Sequence, residues 1–360
     1  MKASIILAQL CMGRLALTDA KRLYDETGAL DEVLQLVKRR TDADYAALEE
    51  RAKQEEEWCA EHKVRIVEIG DVDYPDRLRH CPDAPLVLFV RGTADLNALH
   101  TLSIVGTRKC TSYGKDCIDG IIKDLKRLCP DVTIVSGLAY GVDINAHRMA
   151  MSEDMPTIGV IAHGQDMIYP ALHRADANKM VLGNGAVLTE YLTTTRPEAR
   201  NFLQRNRIIA GMSDATIVVE SSYKGGGLVT ARLAQDYGRD VMAIPGPIHA
   251  PMSEGCNNLI KKNVAALITG AEDIISILGW ENAAALSNAR STGIERSMFV
   301  ELSAEEQRIV QALKEHGDQQ VNNLTVTTQM PISAVTAATF TLEMKGVIQA
   351  MSGNIYHLIQ

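Results

Sequence analysis

The chain contains 360 residues, of which 46% are hydrophobic and 23% charged, a composition typical of a globular protein with two or three domains. A formal net charge of −8 at pH 7 argues against binding of polyanions by the whole surface, but it does not exclude a focused basic groove. Aromatic residues make up only 4%, which excludes a nucleic-acid site that depends on a long array of stacking rings.

The cysteines and the hydropathy pattern argue against several further classes of protein. The seven cysteines are scattered and form no CxxC or Cys/His cluster, so we predict neither a disulfide framework nor a zinc site. The short apolar run near the start leads into a charged helix, which favours a helix over a signal peptide. No apolar stretch reaches membrane-spanning length, so we expect a soluble cytoplasmic protein without membrane contact.

Residues 1–64 predict a small N-terminal helical domain. Apolar residues recur at helical spacing from Ile5, Thr27-Gly28 marks a helix end, and 43–62 form a long, strongly charged helix. The many glutamates of that helix would oppose phosphate. A packing or interaction role is therefore favoured over a nucleic-acid module.

Residues 65–280 predict a larger α/β domain. Strand-like runs at 64–69 and 86–90 precede a regular alternation of strand, loop and helix. The further predicted strands are 102–105, 133–135, 157–161, 186–189, 216–219 and 241–244, with 264–268 as another candidate. Most are continuous apolar runs, as expected of parallel strands buried on both faces. We therefore predict a doubly wound sheet with at least six parallel strands.

The loops after these strands share a glycine-rich chemistry, at the edge where doubly wound sheets bind ligands. The candidate phosphate-binding residues are Gly106, Thr107, Ser136, Gly137, Ser222, Gly225, Gly226 and Gly227. Arg108 and Lys109 add positive charge to the first loop. No loop is a GxGxxG or Walker A motif, and any one of them could serve only as a tight turn. Several together favour a phosphate-binding edge.

The stretch 196–207 contains four arginines and one glutamate, the strongest local positive charge of the chain. Arg200, Gln204 and Arg207 follow one helical stripe, while Phe202-Leu203 lie at positions that can pack inward. A helix with an arginine face in an acidic protein suggests a local anion site. A solvated face with ordinary ion pairs is the alternative.

No catalytic constellation is evident in the sequence. Asp143 and His147 are spaced like an acid/base pair on one helix face, but a helix cap and a packed histidine are the favoured interpretation. No GxSxG elbow or cofactor motif is present. We therefore predict a protein without cofactor or metal that binds an anionic polymer or nucleotide rather than breaking a bond.

Residues 281–300 are small and polar and predict a linker to a separate domain at 301–360. Three helices, the first opened by the capping box Ser303 to Glu306, precede a hairpin, which is the order of a winged helix. The domain has three basic and six acidic residues, and 331–344, in the position of the recognition helix, contain no Arg or Lys. A role in protein contacts is favoured over duplex binding.

Seven motifs occur in series over about 104–260: IVGTRKCTSYG, SGLAYGVDINAH, Tyr-Pro after a Gly-x-Asp turn, FLQRNRIIAG, GGGLVTA, GRDVMAIPGP and GCNNLI. In this order they resemble the DNA-processing protein A family, also called DprA or Smf. The resemblance implies an extended Rossmann fold, a Rossmann-like doubly wound parallel sheet, flanked by an N-terminal helical domain of the SAM type and a C-terminal winged-helix-like domain.

The same resemblance implies a function. Proteins of this family bind and protect single-stranded DNA, help to load the RecA recombinase, act in natural transformation and recombination, and form homodimers without catalytic activity. The resemblance places DNA-contacting arginines at Arg108, Arg205 and Arg207, and a basic residue at Lys179 in the helix after Tyr-Pro. With the charge pattern above, the candidate DNA-binding residues are Arg108, Lys109, Lys179, Arg200, Arg205, Asn206 and Arg207.

The sequence also suggests a surface for self-association and leaves two alternative functions open. The apolar side of the predicted helix at 255–262, with Leu259 and Ile260, is the candidate homodimer interface. A nucleotide-binding hydrolase of the phosphoribohydrolase kind, with Glu220 or Glu190 as base, is the enzymatic alternative. A duplex-binding regulator that reads DNA with 331–344 is a third possibility.

Overall fold

The structure is a computed structural model that describes residues 2–280, 302–345, 347–351 and 353–359. The predicted linker 281–300 lies outside the described residues. By its internal contacts the chain divides into two compact units, residues 1–275 and 276–360.

The first unit begins with four helices: α1 (Ala3–Cys11), α2 (Leu17–Thr27), α3 (Leu30–Lys38) and α4 (Tyr45–Glu61). α2 ends where Gly28 takes a φ of 72°, and α4 begins where the Asp44 carboxylate accepts a hydrogen bond from the Ala47 N–H. Fully buried α1 residues such as Ile6 share one hydrophobic core with sheet residues such as Phe89. The N-terminal helices therefore belong to the same compact unit as the sheet.

The sheet of the first unit has nine strands in the order β1-β2-β6-β5-β4-β3-β7-β8-β9. Their bounds are β1 (Arg65–Glu68), β2 (Val87–Gly92), β3 (His100–Val105), β4 (Val132–Ser136), β5 (Thr157–Val160), β6 (Ala186–Thr189), β7 (Ala215–Val218), β8 (Asp240–Ala243) and β9 (Ala266–Leu267). The seven neighbouring strands β6, β5, β4, β3, β7, β8 and β9 pair in parallel. β1 and β2 form an antiparallel extension beside β6. The predicted doubly wound sheet is confirmed, because its continuous apolar strands are covered on both faces.

Helices connect these strands: α5 (Asp76–Arg79), α6 (Ser112–Leu128), α7 (Val142–Ser152), α8 (Arg174–Leu182), α9 (Ala199–Gly211), α10 (Gly226–Asp236), α11 (Glu254–Lys261) and α12 (Ala271–Leu278). The parallel strands end at one edge of the sheet, here called the carboxyl edge. The loops after β3, β4, β5, β6 and β7 meet there, at the end where α6 to α10 begin.

The second unit contains α13 (Ala304–His316), α14 (Val321–Thr328) and α15 (Ile332–Met344), with a small sheet in the order β10-β12-β11. These strands are β10 (Gln319–Gln320), β11 (Ile348–Met351) and β12 (Ile355–Leu358). The predicted capping box is present, since the Ser303 hydroxyl accepts from the Glu306 N–H and the Glu306 carboxylate accepts from the Ser303 N–H. The predicted winged-helix order is confirmed.

Candidate nucleic-acid interface

The carboxyl edge gathers aromatic side chains that the overall composition conceals. Tyrosines or phenylalanines follow five successive strands of the sheet: Tyr113 after β3, Tyr140 after β4, Tyr169 after β5, Phe202 after β6 and Tyr223 after β7. The four tyrosines are between 42% and 57% exposed, and they are the exposed tyrosines of the described chain. The exposed tyrosines of the described chain thus lie in the loops and helix starts where ligands of such sheets bind.

Arg108 lies among these rings. Its side chain is exposed, and its Cζ atom lies 5.2 Å from the centroid of the Phe202 ring. Phe202 also contacts the Tyr169 ring, with the centroids 5.9 Å apart. Arg108 forms no hydrogen bond or ion pair within the described residues, so its guanidinium group is held by a cation–π contact and its donors point outward. Lys109 is exposed beside it.

Arg205 approaches the same Phe202 ring from the protein side, with Cζ 5.9 Å from the centroid. It is only 3% exposed, and Nη1 donates to the carbonyl oxygens of Gly137, at 2.6 Å, and Val160. Burial lowers the pKa of the Arg205 guanidinium to about 10, and the neighbouring Asp143 carboxylate opposes that shift. This burial contradicts the predicted DNA contact of Arg205. Its guanidinium group instead donates hydrogen bonds to carbonyl oxygens at the ends of β4 and β5, beneath the surface.

Arg207 is also buried, on another face of α9. Nη2 pairs with the Glu190 carboxylate, and Nη1 donates to the Asp83 carbonyl at 2.6 Å. Although burial opposes the charged form, Glu190 raises the pKa of Arg207. Its predicted DNA contact is therefore corrected to an internal ion pair. Asn206 is half-buried and accepts from Arg205 Nε at 3.3 Å.

The remaining α9 residues are divided between two environments. Arg200 is exposed and, with Gln204 and Arg207, lines a cleft beside α1. The predicted stripe therefore faces this cleft, whereas Phe202 faces the carboxyl edge. Leu203 is 54% exposed, so its predicted inward packing is wrong; residue 203 lies on the solvent side of the helix.

The loop after β4 does not offer an open phosphate cradle. Ser136 is fully buried and its Oγ donates to the Ile104 carbonyl at 2.6 Å. The Gly137 N–H donates to Asp143 Oδ2 at 3.1 Å, so the protein's own carboxylate occupies the start of α7. The phosphate-binding roles predicted for Ser136 and Gly137 are corrected, because the Asp143 carboxylate binds the Gly137 N–H group that a phosphate would need.

Asp143 and His147 do not act on each other. Burial raises the pKa of Asp143, and Arg205 opposes that rise. His147 is fully buried, and its Nδ1 is 2.7 Å from the Thr157 hydroxyl, which itself donates to the Ile134 carbonyl. The interpretation as a helix cap and a packed histidine is favoured by these contacts.

The start of α6 is closed in the same way. The Glu220 carboxylate accepts from the Thr111 N–H at 2.8 Å and the Thr111 hydroxyl at 2.6 Å. The neighbouring loops then pack tightly: a Cβ on Gly227 would lie 3.0 Å from Gly106 Cα, and one on Gly106 would lie 2.6 Å from Val142. The predicted phosphate roles of Gly106 and Gly227 are corrected to close loop packing.

The other loop glycines differ in access. A Cβ on Gly225 would lie 2.1 Å from Ser221 Oγ, whereas Gly226 is exposed and borders open space. Ser222 and Thr107 are half-buried, and the Thr107 hydroxyl accepts from the Lys109 N–H at 3.1 Å. Gly226, Ser222 and Thr107 therefore keep access to an anion.

Two histidines that the sequence analysis did not select support the tyrosine loops. His163 Nδ1 donates to the Gly164 carbonyl at 2.9 Å, and its Nε2 accepts from the Tyr169 N–H at 3.1 Å. His173 Nδ1 donates to the Leu138 carbonyl at 2.8 Å, and its ring contacts Tyr140 edge-on at 5.0 Å. Burial lowers the pKa of His163, which keeps it neutral and able to accept.

Comparison with known proteins identifies the family. The family model described as DNA recombination-mediator protein A matches residues 65–279, and a model of the DprA winged helix domain matches 300–354. The chain belongs to the DprA family. DNA processing protein DprA of Streptococcus pneumoniae strain R6 is 39% identical over 212 residues, which cover 58% of this chain and 72% of the relative.

Solved structures of DprA proteins are similar as well. The crystal structure of DNA processing protein A from Streptococcus pneumoniae has a TM-score of 0.58 at 32% identity, and the match covers 76% of this chain and 93% of that one. DNA processing protein A from Helicobacter pylori, whose structure is described as revealing a single-stranded DNA binding mode, has a TM-score of 0.54 at 29% identity, covering 60% and 95%.

Lys179 lies away from the carboxyl edge in this DprA family member. It is near the end of α8 and lines a cavity with Asp154 and Asn184, which precede β5 and β6. Its predicted DNA contact stays a prediction, and the residue lies at the opposite edge of the sheet from Arg108. Arg174, in the first turn of α8, is the exposed basic residue of this helix at the carboxyl edge, and the sequence analysis missed it.

The remaining candidate residues of the chain have internal partners. Leu259 and Ile260 of α11 are half-buried and pack against the core of their own unit. Glu190 and Glu220, the candidate hydrolase bases, are committed to Arg207 and Thr111. Within the described residues, no helix combines the length and the apolar character that crossing a membrane requires.

Proposed function

We propose that this DprA family protein binds single-stranded DNA along the carboxyl edge of its sheet. The observation that carries the proposal is Arg108, an exposed guanidinium group without a polar partner in the described chain, which lies on the Phe202 ring beside the exposed ring of Tyr169. Arginine holds phosphate in a bidentate manner, and bases stack on aromatic rings without regard to sequence. Because the sheet edge supplies both kinds of contact, it suits an unpaired strand better than a duplex.

The proposed DNA-contacting residues follow from exposure. They are Arg108, Lys109, Arg174, Arg196, Arg200 and Lys224, with the rings of Tyr140, Tyr169 and Tyr223. Arg205 and Arg207 act from below by holding the loops in place. The relative from Helicobacter pylori, described as having a single-stranded DNA binding mode, supports a single strand as the ligand.

The wider role follows from family membership. We propose that the bound strand is shielded from nucleases and passed to a RecA-type recombinase during transformation or recombination in the cytoplasm, without catalysis. The description of the matching family as a recombination mediator supports this role. We also propose a homodimer through α11, near Leu259 and Ile260. Light scattering at micromolar concentration tests it, and a monomer that still binds DNA would contradict it.

The central experiment is equilibrium binding of a fluorescent single strand and of a duplex of equal length, over a salt series. The wild type should prefer the single strand, and log K should fall with log salt with a slope of about −2 to −3 if three or four phosphates are neutralised. Arg108→Glu should weaken binding by about tenfold to a hundredfold.

Arg127→Glu is the matched control. It makes the same charge change at an exposed arginine near the far end of α6, away from the carboxyl edge. Equal affinities of wild type and Arg108→Glu, with unchanged thermal stability, would exclude this site. A preference for duplex would instead direct attention to the winged helix.

A further inference from the structure

A cleft of about 250 Å³ separates the N-terminal helices from α9. Its apolar wall includes Met12, Leu17 and Val87, and its polar wall includes Arg200 and Gln204. Ligand pockets usually measure about 300–1,000 Å³, so this cleft is sized for one planar ring system rather than for a length of chain. It lies on the other face of α9 from Phe202 and Arg108.

The polar wall offers both a donor and an acceptor. The Tyr191 hydroxyl lies 3.3 Å from Gln204 Oε1 and 3.5 Å from the Asn201 carbonyl oxygen, and Gln204 Nε2 has no hydrogen-bond partner among the described residues. Glu190 lines the same cleft; one carboxylate oxygen holds Arg207, and the other, Oε1, is buried without a hydrogen-bond partner in the described chain. Amide and carboxylate groups of this kind recognise the edges of bases.

Charge distinguishes the interior of the cleft from its mouth. Glu190 and Glu198 both line it and disfavour a phosphate inside, while Arg207 already neutralises Glu190 and so lowers the attraction for a free cation. Arg200 is exposed and forms no ion pair or hydrogen bond with any described residue. The arrangement fits a neutral planar ring inside and a phosphate outside.

We propose that this cleft accepts one nucleobase of the DNA strand bound at the carboxyl edge, with Arg200 on the adjoining phosphate. The inference rests on the proposed function, because the edge supplies the strand. Phe202 and Arg200 occupy the first turn of α9 on different faces, and a helix is about 10–12 Å across, so a few nucleotides can pass round its end. Arg196, exposed just before the helix, lies on that path.

The test places the fluorescent base 2-aminopurine at successive positions of a thymidine oligomer and measures its shielding from acrylamide. The wild type should shield one position strongly. Gln204→Leu removes the amide, and Met12→Trp fills the mouth of the cleft, where Met12 is 40% exposed. Each variant should remove the shielding and weaken binding by about threefold to tenfold. Leu203→Gln, on the solvent side of α9, is the matched control and should change neither readout.

The outcomes separate the two proposals. If Arg108→Glu loses binding while both cleft variants retain affinity and shielding, the cleft inference is wrong and the sheet-edge site stands. If Arg108→Glu binds like the wild type, the proposed function itself fails. Saturable binding of deoxyadenosine monophosphate that Met12→Trp abolishes, with no shielded position in the oligomer, would overturn the inference in favour of a site for free nucleotides.

Discussion

The carboxyl edge of the sheet and the outer face of α15 show two different surfaces that a DNA-processing protein can present. The edge combines exposed arginine and lysine with tyrosine rings. α15, in the recognition position of a winged helix, exposes Ile332, Phe340 and Met344, and the adjacent Lys345 is paired with Glu306. We therefore expect the strand to bind at the carboxyl edge and not on α15, because the edge exposes uncommitted positive charge whereas α15 exposes apolar side chains.

The largest expected effect concerns the layer beneath the edge. Arg205→Ala removes the donor to the Gly137 and Val160 carbonyls and leaves Asp143 buried without its nearest cation. The free energy of unfolding should fall by about 3–5 kcal/mol. Urea unfolding measures this.

Arg108→Ala is the control for that prediction. Because Arg108 is exposed, its removal should change stability by no more than about 0.5 kcal/mol while weakening DNA binding. Equal stability of the two variants would show that the buried and exposed arginines are not distinct in role.

Acid should destabilise the first unit before it destabilises the second. Burial lowers the pKa of His147 from 6.5 to about 3, so the unfolded chain binds a proton that the folded chain refuses. The stability contributed by neutral His147 is complete above pH 6.5 and is lost as the pH falls towards 3. For His147 alone, the free energy of unfolding should be about 2 kcal/mol lower at pH 5 than at neutral pH.

Urea unfolding of the wild type and of His147→Asn across this range provides the measurement. The variant keeps a donor towards Thr157 and should show a flatter pH dependence. In the second unit, the side chains of His316 and His357 are 52% and 39% exposed, which favours the order of loss stated above. An identical pH dependence in both proteins would refute the role of His147.

The tyrosines should contribute about equally to strand binding. Tyr140→Ala and Tyr169→Ala should each weaken single-strand affinity by about tenfold, since stacking on one ring contributes about 1–3 kcal/mol. Tyr140→Phe and Tyr169→Phe keep the ring and should retain the affinity. Fluorescence titration at moderate salt measures all four. A loss in the phenylalanine variants would point to hydroxyl contacts instead of stacking.

The smallest effects on single-strand affinity are expected from residues outside the carboxyl edge. Lys179→Glu and Phe340→Glu change charge at the opposite sheet edge and on α15, and each should alter single-strand affinity by less than about twofold. Salt screens the charge of residue 179 from a strand on the carboxyl edge, and α15 contains no Arg or Lys that could hold a phosphate. Lys109→Glu, at the edge, is the positive control. A marked loss of single-strand affinity in Phe340→Glu would show that the winged helix takes part in DNA binding. The difference drawn between the two surfaces would then be wrong.

Much of the fold could be predicted because it depends on local patterns. Continuous apolar runs located the parallel strands, and the capping box at Ser303 located the first helix of the winged-helix unit. Burial of particular arginines could not be predicted in this way. Arg205 bonds to carbonyls 68 and 45 residues away, so its environment depends on tertiary packing and not on its helical stripe.

The positions of two candidate site residues within their elements could have been derived from the sequence. Asp143 follows Gly137 by six residues at a helix start, where a carboxylate takes the place of an external anion. Lys179 is five residues beyond Arg174, about 7.5 Å further along a helix that runs away from the carboxyl edge. The tyrosines were overlooked for another reason, since a composition average says nothing about position.

The carboxylates of Asp143 and Glu220 at the starts of α7 and α6 have a consequence for selectivity. With these two cradles closed from within, inorganic phosphate and nucleotide triphosphates meet side chains singly instead of a ring of backbone donors. A polymer engages many such side chains at once, and the contacts add because they share one tether. We therefore expect the affinity for DNA to increase with the length of the strand, while inorganic phosphate and nucleotide triphosphates bind weakly.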